Sequence, residues 1–458
     1  MRNTTKVLSP YDQREIGEIP KQDATDVDIA VATAKDTLER GELPTWRRAE
    51  ILYDAAMRIG DRREEIAQII SAEAAKPISA ARSEAARALS TMGWASIAAR
   101  NLKGEMIPME GSMVGDGKLA YTLRKPIGVV GAITPFNFPL NLVCHKIGPA
   151  IAAGCPVVLK PASQTPFSAY AFADILSECG LPPGWLSIVT GSGSEVGAAL
   201  VEHPDVSFIS FTGSAEVGWS IPQQGPRKKV SLELGNSTPV IVDANSNWEL
   251  AADGIAVGGF AHAGQSCISV QRVYVHQDIA DQFTERLVSN VGELVVGDPS
   301  HADTNVSSLI TTDDRDRVHS WIREAVEQGG HIAVGGELTD EILQPTVITN
   351  ANLDMKICSE EVFGPVVAVQ TYTDFDEAIG FANGTKYGLQ AGIFTNDLNK
   401  ATAASSRLQF GAVLVNEVPT WRADLMPYGG TKESGNTREG PVYALDEMTE
   451  PRLVVINT

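Results

Sequence analysis

Between residues 26 and 106, apolar side chains recur at steps of three and four, as in IAVATAKDTL and EILYDAAMRIGDRREEIAQII, on a background rich in Ala, Glu and Arg. That period predicts a run of amphipathic helices. The texture changes at residue 107. IPMEGSMVGDGKLAYTLRKP opens with Gly- and Asp-rich turn material and closes in a short alternating run, the pattern of a β-hairpin segment. Further on, apolar runs of strand length alternate with helical stretches. GVVGAI precedes a proline-rich loop, PVVLK precedes SAYAFADILSECG, LSIVT precedes GSGSEVGAALVEH, and VSFISFTG precedes SAEVGWSI. A second series, PVIVD, VQRVYV, HIAVGG, VVAVQTY and GAVLVN, follows with helical pieces between its members. Such alternation predicts parallel sheets flanked by helices. The expected architecture is two α/β domains and a hairpin arm, with no internal repeat.

Composition narrows the function. At about 150 residues per domain, the length allows two or three folding units. A surplus of 57 acidic over 37 basic side chains, net charge −20, leaves no basic face for a phosphate backbone, so no nucleic-acid partner is expected. The most apolar stretch, 127–159, is interrupted by Pro135, Asn137, Pro139, Asn141, His145, Lys146 and Pro149. It cannot supply the roughly 20 uninterrupted apolar residues of a membrane span. The first twenty residues have no apolar signal core. Five cysteines without a CxxC pair exclude a disulfide framework and fit a reducing compartment. A cytoplasmic protein without a metal centre is expected.

Several residues could carry chemistry. GSGSEVG (191–197) follows an apolar strand and opens a helix, so its glycines and free N–H groups could cradle phosphate, or form a Gly-rich turn with no ligand. FTGSAEVG (211–218) repeats the design, with Ser214 able to cap the helix or touch phosphate. Cys155, inside AAGCPVVL, reads as a buried spectator. Cys267 stands instead in a small polar turn, GQSCIS, before a strand, where it is either a nucleophile or another spectator. Glu233, between Leu232 and Leu234 at a strand end, is a satisfied structural group or a base with a tuned pKa. Asn137, between two prolines, could donate to an oxyanion or close an Asx-turn.

Taken together, TPFNFP (134–139), LKPASQTP (159–166), FTGSAEVG (211–218), LELGNSTP (232–239), GQSC (264–267), EEVFGPV (360–366) and PYGGTKESG (427–435) resemble, in order and spacing, the NAD(P)-dependent aldehyde dehydrogenase superfamily. Cys267 lies 34 residues after Glu233, which is the family's spacing. The resemblance runs from about residue 7 to the C-terminus. It implies a Rossmann-type cofactor domain (1–107 and 125–233), an α/β catalytic domain (234–445) and a β-hairpin oligomerisation arm (108–124 and 446–458). It assigns Cys267 as nucleophile, Asn137 with the Cys267 backbone N–H as oxyanion hole, and Glu233 as general base. NADP or NAD is the implied cofactor. Lys160 would hold the adenosine ribose, Gly213 and Ser214 the pyrophosphate side, Glu361 the nicotinamide ribose, and Phe363 would wall the nicotinamide. Thr134, Pro135, Phe136, Ser163, Gly193, Gly197, Phe211 and Leu234 complete the implied cofactor set.

The sequence departs from the family pattern in three places. Asn236 and Ser237 follow Gly235 where many members carry LELGGK, and Asn236 is expected to keep the loop by taking a positive φ. SGNTRE (434–439) lacks the glycine of SGxGRE. Ser163 stands where NAD-preferring members often carry Glu, so NADP should be accepted. The run 416–456 is similar to dehydrogenases of small anionic or hydroxylated aldehydes, of the lactaldehyde, phosphonoacetaldehyde and sulfolactaldehyde type. Arg422 is the basic residue beside the implied substrate tunnel, and Arg87 is a second candidate; a surface or intersubunit salt bridge is the alternative for Arg422. Rival functions are a coenzyme A-acylating relative, which tends to lack the base, a succinate-semialdehyde dehydrogenase, and a non-catalytic scaffold. The arm presents an edge strand that a second copy should cover, so a homodimer or homotetramer is expected.

Overall fold

The computed structural model describes residues 4–41 and 43–458; residues 1–3 and Glu42, within the expected cofactor domain, lie outside the described residues. The helical period yields four helices, Ala24–Arg40, Thr45–Asp61, Arg63–Ala74 and Ile78–Arg100. The first starts on a capping box in which Asp23 accepts from the Asp26 N–H and Asp26 accepts from the Asp23 N–H. The apolar stretch 127–159 becomes a strand (Val129–Ile133), a loop, a helix (Asn141–Ala153) and a second strand (Val157–Lys160). All 13 residues of that helix are buried, which explains its lack of a polar face.

A five-stranded parallel sheet has the spatial order Leu186–Ile188, Val157–Lys160, Val129–Ile133, Val206–Thr212, Lys229–Glu233. The chain builds outward from Val129–Ile133 in one direction and then in the other. The carboxyl end of that strand is therefore a topological switch point, where an open α/β sheet offers a crevice. A seven-stranded sheet follows, ordered His331–Val334, Thr346–Thr349, Val366–Tyr372, Val270–His276, Thr238–Val242, Gln390–Phe394, Ala412–Val415. Its edge strand His331–Val334 runs antiparallel to Thr346–Thr349, so this sheet is mixed rather than wholly parallel. The arm is a three-stranded antiparallel sheet of Met106–Ile107, Lys118–Pro126 and Thr449–Asn457. Helix Pro441–Glu447 takes the first two residues expected in its C-terminal part.

Two further corrections concern local structure. Gly193–Gly197 forms a π-helical turn before a short helix, Ala198–Glu202, instead of opening one continuous helix. Asn236 does not take a left-handed backbone, since the positive-φ positions do not include it. Its side chain holds the loop by donating to Thr238 Oγ1 (2.8 Å) and the Gln390 carbonyl (3.1 Å) and accepting from the Leu389 N–H.

Candidate active site

Cys267 sits just before strand Val270–His276, at the end of an unusually shaped turn. His262, Ala263 and Gly264 have φ of 51°, 54° and 71°, three consecutive residues in the left-handed region. A side chain at 264 would meet the Gly364 carbonyl oxygen at 2.1 Å, so glycine is required there. Gln265 locks the turn, donating from Nε2 to the His262 carbonyl (3.2 Å) and accepting from the Ile310 N–H at 2.9 Å. The same residue's carbonyl accepts from Asn137 Nδ2 at 2.9 Å, which fixes the Asn137 amide two residues from Cys267.

The loop carrying Asn137 is itself clamped. Buried Lys76 donates to the Asn137 carbonyl (2.5 Å) and to Glu84 (2.5 Å), while Glu84 Oε1 accepts from the N–H groups of Leu140 and Asn141 at 3.0 and 3.1 Å. An ion pair this buried keeps its place because both partners make further hydrogen bonds, Lys76 to the Asn137 carbonyl and Glu84 to two backbone N–H groups.

A cavity of about 270 Å³ is bordered by Cys267, Glu233, Tyr428, Arg422 and Arg87. The Cys267 thiol lies 2.9 Å from the Tyr428 hydroxyl. Burial pushes the thiol up to about 12, partly offset by that hydrogen bond. Glu233 ends strand Lys229–Glu233, and neither of its carboxylate oxygens has a hydrogen-bond partner among the described residues. Burial, then the nearby Glu439, raise its pKa well above the carboxylate range. Glu439 shows the opposite behaviour: burial opposes its charge, yet His145, Lys146 and Arg422 hold it down to about 2. Arg422 Nη2 donates to Glu439 Oε2 at 2.9 Å, and Lys146 Nζ lies 3.6 Å from Glu439 Oε1. Arg422 is therefore in the cavity wall but buried, with its carboxylate partner in its own chain; its side chain is 5% exposed, against 29% for Arg87. The salt bridge of Arg422 is thus a buried one within its own chain rather than one at the surface. Arg87 binds Asp424 through two N–H groups at 2.7 and 3.3 Å.

On the far side of Glu233, the switch point gathers Thr134, Lys160, Gly213 and Ser214 at the strand ends. Thr134 Oγ1 is buried without a partner among the described residues, and buried Lys160 has a long 3.4 Å bond to the Pro161 carbonyl. Gly193 has open space where a side chain would begin, while Gly197 is close to the Lys160 stem. Ser163 Oγ donates to the Gly191 carbonyl at 3.1 Å. Phe211 packs under Gly213, and Leu234 under Gly218. Pro135 and Phe136 follow Thr134, and the Phe136 ring meets the Phe363 ring edge-on with centroids 5.8 Å apart. Glu361 accepts from the Asn236 N–H at 3.1 Å, and burial raises it to about 7. Unsatisfied donors at a switch point, beside open glycine turns, fit a dinucleotide.

Residues 1–454 match the model of the aldehyde dehydrogenase family. The chain belongs to that family. It is 45% identical over 452 residues to a 3-sulfolactaldehyde dehydrogenase of Priestia aryabhattai, covering 99% of this chain and 94% of the relative. It is 38% identical over 464 residues to a lactaldehyde dehydrogenase of Methanococcus aeolicus, covering 100% and 98%. A glyceraldehyde-3-phosphate dehydrogenase of Methanocaldococcus jannaschii, crystallised with NADP, superposes with a TM-score of 0.96 at 37% identity, over 100% of both chains. The protein is thus an NAD(P)-dependent aldehyde dehydrogenase, α/β in fold. None of the helices in the described residues is long and apolar enough to cross a membrane.

Sequence reasoning about this dehydrogenase missed Lys76, Glu84, Lys146, Tyr428 and Glu439 as parts of the site. A lysine inside the Ala-rich AEAAKP was the one visible signal, since a cation there has to find a buried partner.

Proposed function

We propose that this aldehyde dehydrogenase works through a Cys267 thioester, with Glu233 activating the hydrolytic water, on a small anionic or hydroxylated aldehyde. The observation that carries the reading is the common cavity of Cys267 and Glu233, with the Asn137 amide anchored on Gln265 beside them. The Cys267 thiolate attacks the carbonyl carbon, and the charge developing on its oxygen is received by Asn137 Nδ2 and the Cys267 N–H. Asn137 Nδ2 spends one hydrogen on Gln265, which leaves the second for the oxyanion. A nicotinamide dinucleotide, when bound, accepts the hydride that leaves the adduct. The acyl group then remains on Cys267 until Glu233 takes a proton from a water that attacks it. A carboxyl group in that place supports hydrolysis over transfer to coenzyme A. Dinucleotide reduction with an aldehyde panel, with and without coenzyme A, tests this: a strict requirement for coenzyme A would overturn the hydrolytic reading.

The substrate class rests on the sulfolactaldehyde and lactaldehyde dehydrogenases among the relatives and on the two arginines of the cavity wall. Arg87 is the more accessible, and its partner Asp424 keeps bonds from His145 and Asn141 without it. Replacing Arg87 by Ala is expected to raise KM for an anionic aldehyde, relative to propanal, by about tenfold to a hundredfold, the roughly 1.5–3 kcal/mol of a charged hydrogen bond. Equal changes for both aldehydes would make Arg87 a purely structural partner of Asp424.

Lys160 holds the adenosine ribose in this reading, and Glu361 the nicotinamide ribose. Ser163 places no carboxylate beside Lys160, so a 2′-phosphate meets no repulsion and NADP is accepted. Ser163→Glu should lower kcat/KM for NADP at least tenfold more than for NAD; wild-type enzyme active with NAD alone would defeat this. The arm leaves Leu119, Leu123, Leu453, Val455 and Ile456 exposed, which supports a homodimer or homotetramer. The free cysteines and acidic balance support a cytoplasmic location.

A further inference from the structure

The surroundings of Cys267 work against the species that has to react. A thiolate is the nucleophile, yet Cys267 is half-buried, and two carboxyl groups face it: Glu361, from the loop after helix Lys356–Ser359, and Glu233, from the end of strand Lys229–Glu233. Two groups oppose them, both from the segment 422–428. The Tyr428 hydroxyl lies 2.9 Å from Sγ, and the Arg422 guanidinium sits 3.7 Å from the centroid of the Tyr428 ring.

That arrangement is rigidly held. Tyr428 is 2% exposed, and its backbone forms a bridge with Glu439 through two hydrogen bonds, 3.0 Å from the Tyr428 N–H and 2.5 Å from the Glu439 N–H. The Glu439 side chain in turn fixes Arg422 at 2.9 Å, and His145 lies 3.2 Å from the same guanidinium nitrogen. Phenol and guanidinium are thus locked together against the sulfur.

The direction of the hydrogen bond follows from chemistry. Burial, the neighbouring thiol and Glu233 keep the Tyr428 phenol protonated far above neutrality. A phenol that keeps its proton is a donor, and an anionic sulfur is an acceptor. A cation against the ring face polarises the phenol and strengthens that donation.

We propose that Tyr428 is a further catalytic residue, donating a hydrogen bond to the Cys267 thiolate, with Arg422 as the positioning residue that holds and polarises its ring. This deepens the reading of Cys267 as nucleophile and rests on it. It also gives Arg422 a task other than gripping the substrate's anionic group.

The test is the pH dependence of iodoacetamide alkylation at Cys267 in the full-length enzyme, read by mass spectrometry of the Cys267 peptide. Tyr428→Phe keeps the ring under Arg422 and removes one oxygen. It is expected to slow alkylation at pH 7.5 by about tenfold or more and to move the inflection upward by about one pH unit, with NADP affinity unchanged. Arg422→Gln, which keeps a donor for Glu439 without the charge, should shift the profile in the same direction, and Arg422→Lys should restore part of it. A Tyr428→Phe profile that superposes on wild type overturns the inference, provided that Cys267→Ala is inactive. Activity surviving in Cys267→Ala would overturn the nucleophile reading and this inference together.

Discussion

Cys267→Ala enzyme is expected to lose aldehyde oxidation by roughly four orders of magnitude or more while binding dinucleotide almost as wild type does. The two halves of that expectation come from different parts of the fold. Chemistry depends on a sulfur hydrogen-bonded to Tyr428, and no other cysteine can replace it, because Cys144, Cys155, Cys179 and Cys358 are all buried elsewhere. Cofactor contacts are expected from Thr134, Lys160 and Ser214, at strand ends of the other sheet. Losing the thiol also leaves the buried Tyr428 hydroxyl without its partner, at about 1–3 kcal/mol. Cys267→Ser restores that partner and should be equally inactive, since a serine hydroxyl in the same surroundings does not ionise. Steady-state rates with an aldehyde panel, alongside dinucleotide titrations followed by fluorescence, check both halves. Substantial residual turnover in Cys267→Ala would end the thioester mechanism.

How far the chain could be read before its structure depends on the range of each interaction. The helices over 24–100 were legible because a 3.6-residue period repeats through them, and Val157–Lys160 because it opens on three consecutive apolar residues, all of them buried. The N-terminal hairpin, Thr4–Leu8 with Glu15–Pro20, went unread: each strand buries a single side chain, Val7 or Ile19, so no alternation stands out. Thr346–Thr349 and Gln390–Phe394 were missed as well, because each opens on a buried polar residue, Thr346 or Gln390, that interrupts the apolar run.

The site divides in the same way. GQSC announced a reactive cysteine because small polar neighbours are local information. Its hydroxyl partner Tyr428 lies 161 residues away, beyond any local pattern. Arg422 was recognisable as a cation near the tunnel, but its pairing with Glu439 needs the Tyr428–Glu439 bridge that brings the two segments together. Asn436 illustrates the same limit. Its side chain accepts from the Leu232 N–H (2.9 Å) and donates to the Val230 carbonyl (3.0 Å), and so braces the strand that ends in Glu233, more than 200 residues away in the chain.

Glu233→Gln should separate the two half-reactions. Glu233 is assigned to the water that attacks the acyl group, so replacing it leaves thiolate attack and hydride departure intact. Rapid mixing with aldehyde and dinucleotide is expected to give a burst of about one equivalent of reduced cofactor per site, followed by turnover slowed by roughly 10²–10⁴-fold, the usual contribution of a general base. The pH profile adds an independent check. Burial and Glu439 hold the Glu233 carboxyl in its protonated form well above the usual carboxylate range. Only the ionised form can accept a proton, so wild-type steady-state turnover should rise with pH as Glu233 ionises. A glutamine has nothing to ionise, and this rise should be missing from the slow phase of Glu233→Gln. The neighbouring Glu439 cannot take over, because Arg422 and Lys146 hold its charge in place and deprive it of basicity. If Glu233→Gln shows no burst, Glu233 is needed before the thioester forms, for instance to deprotonate Cys267.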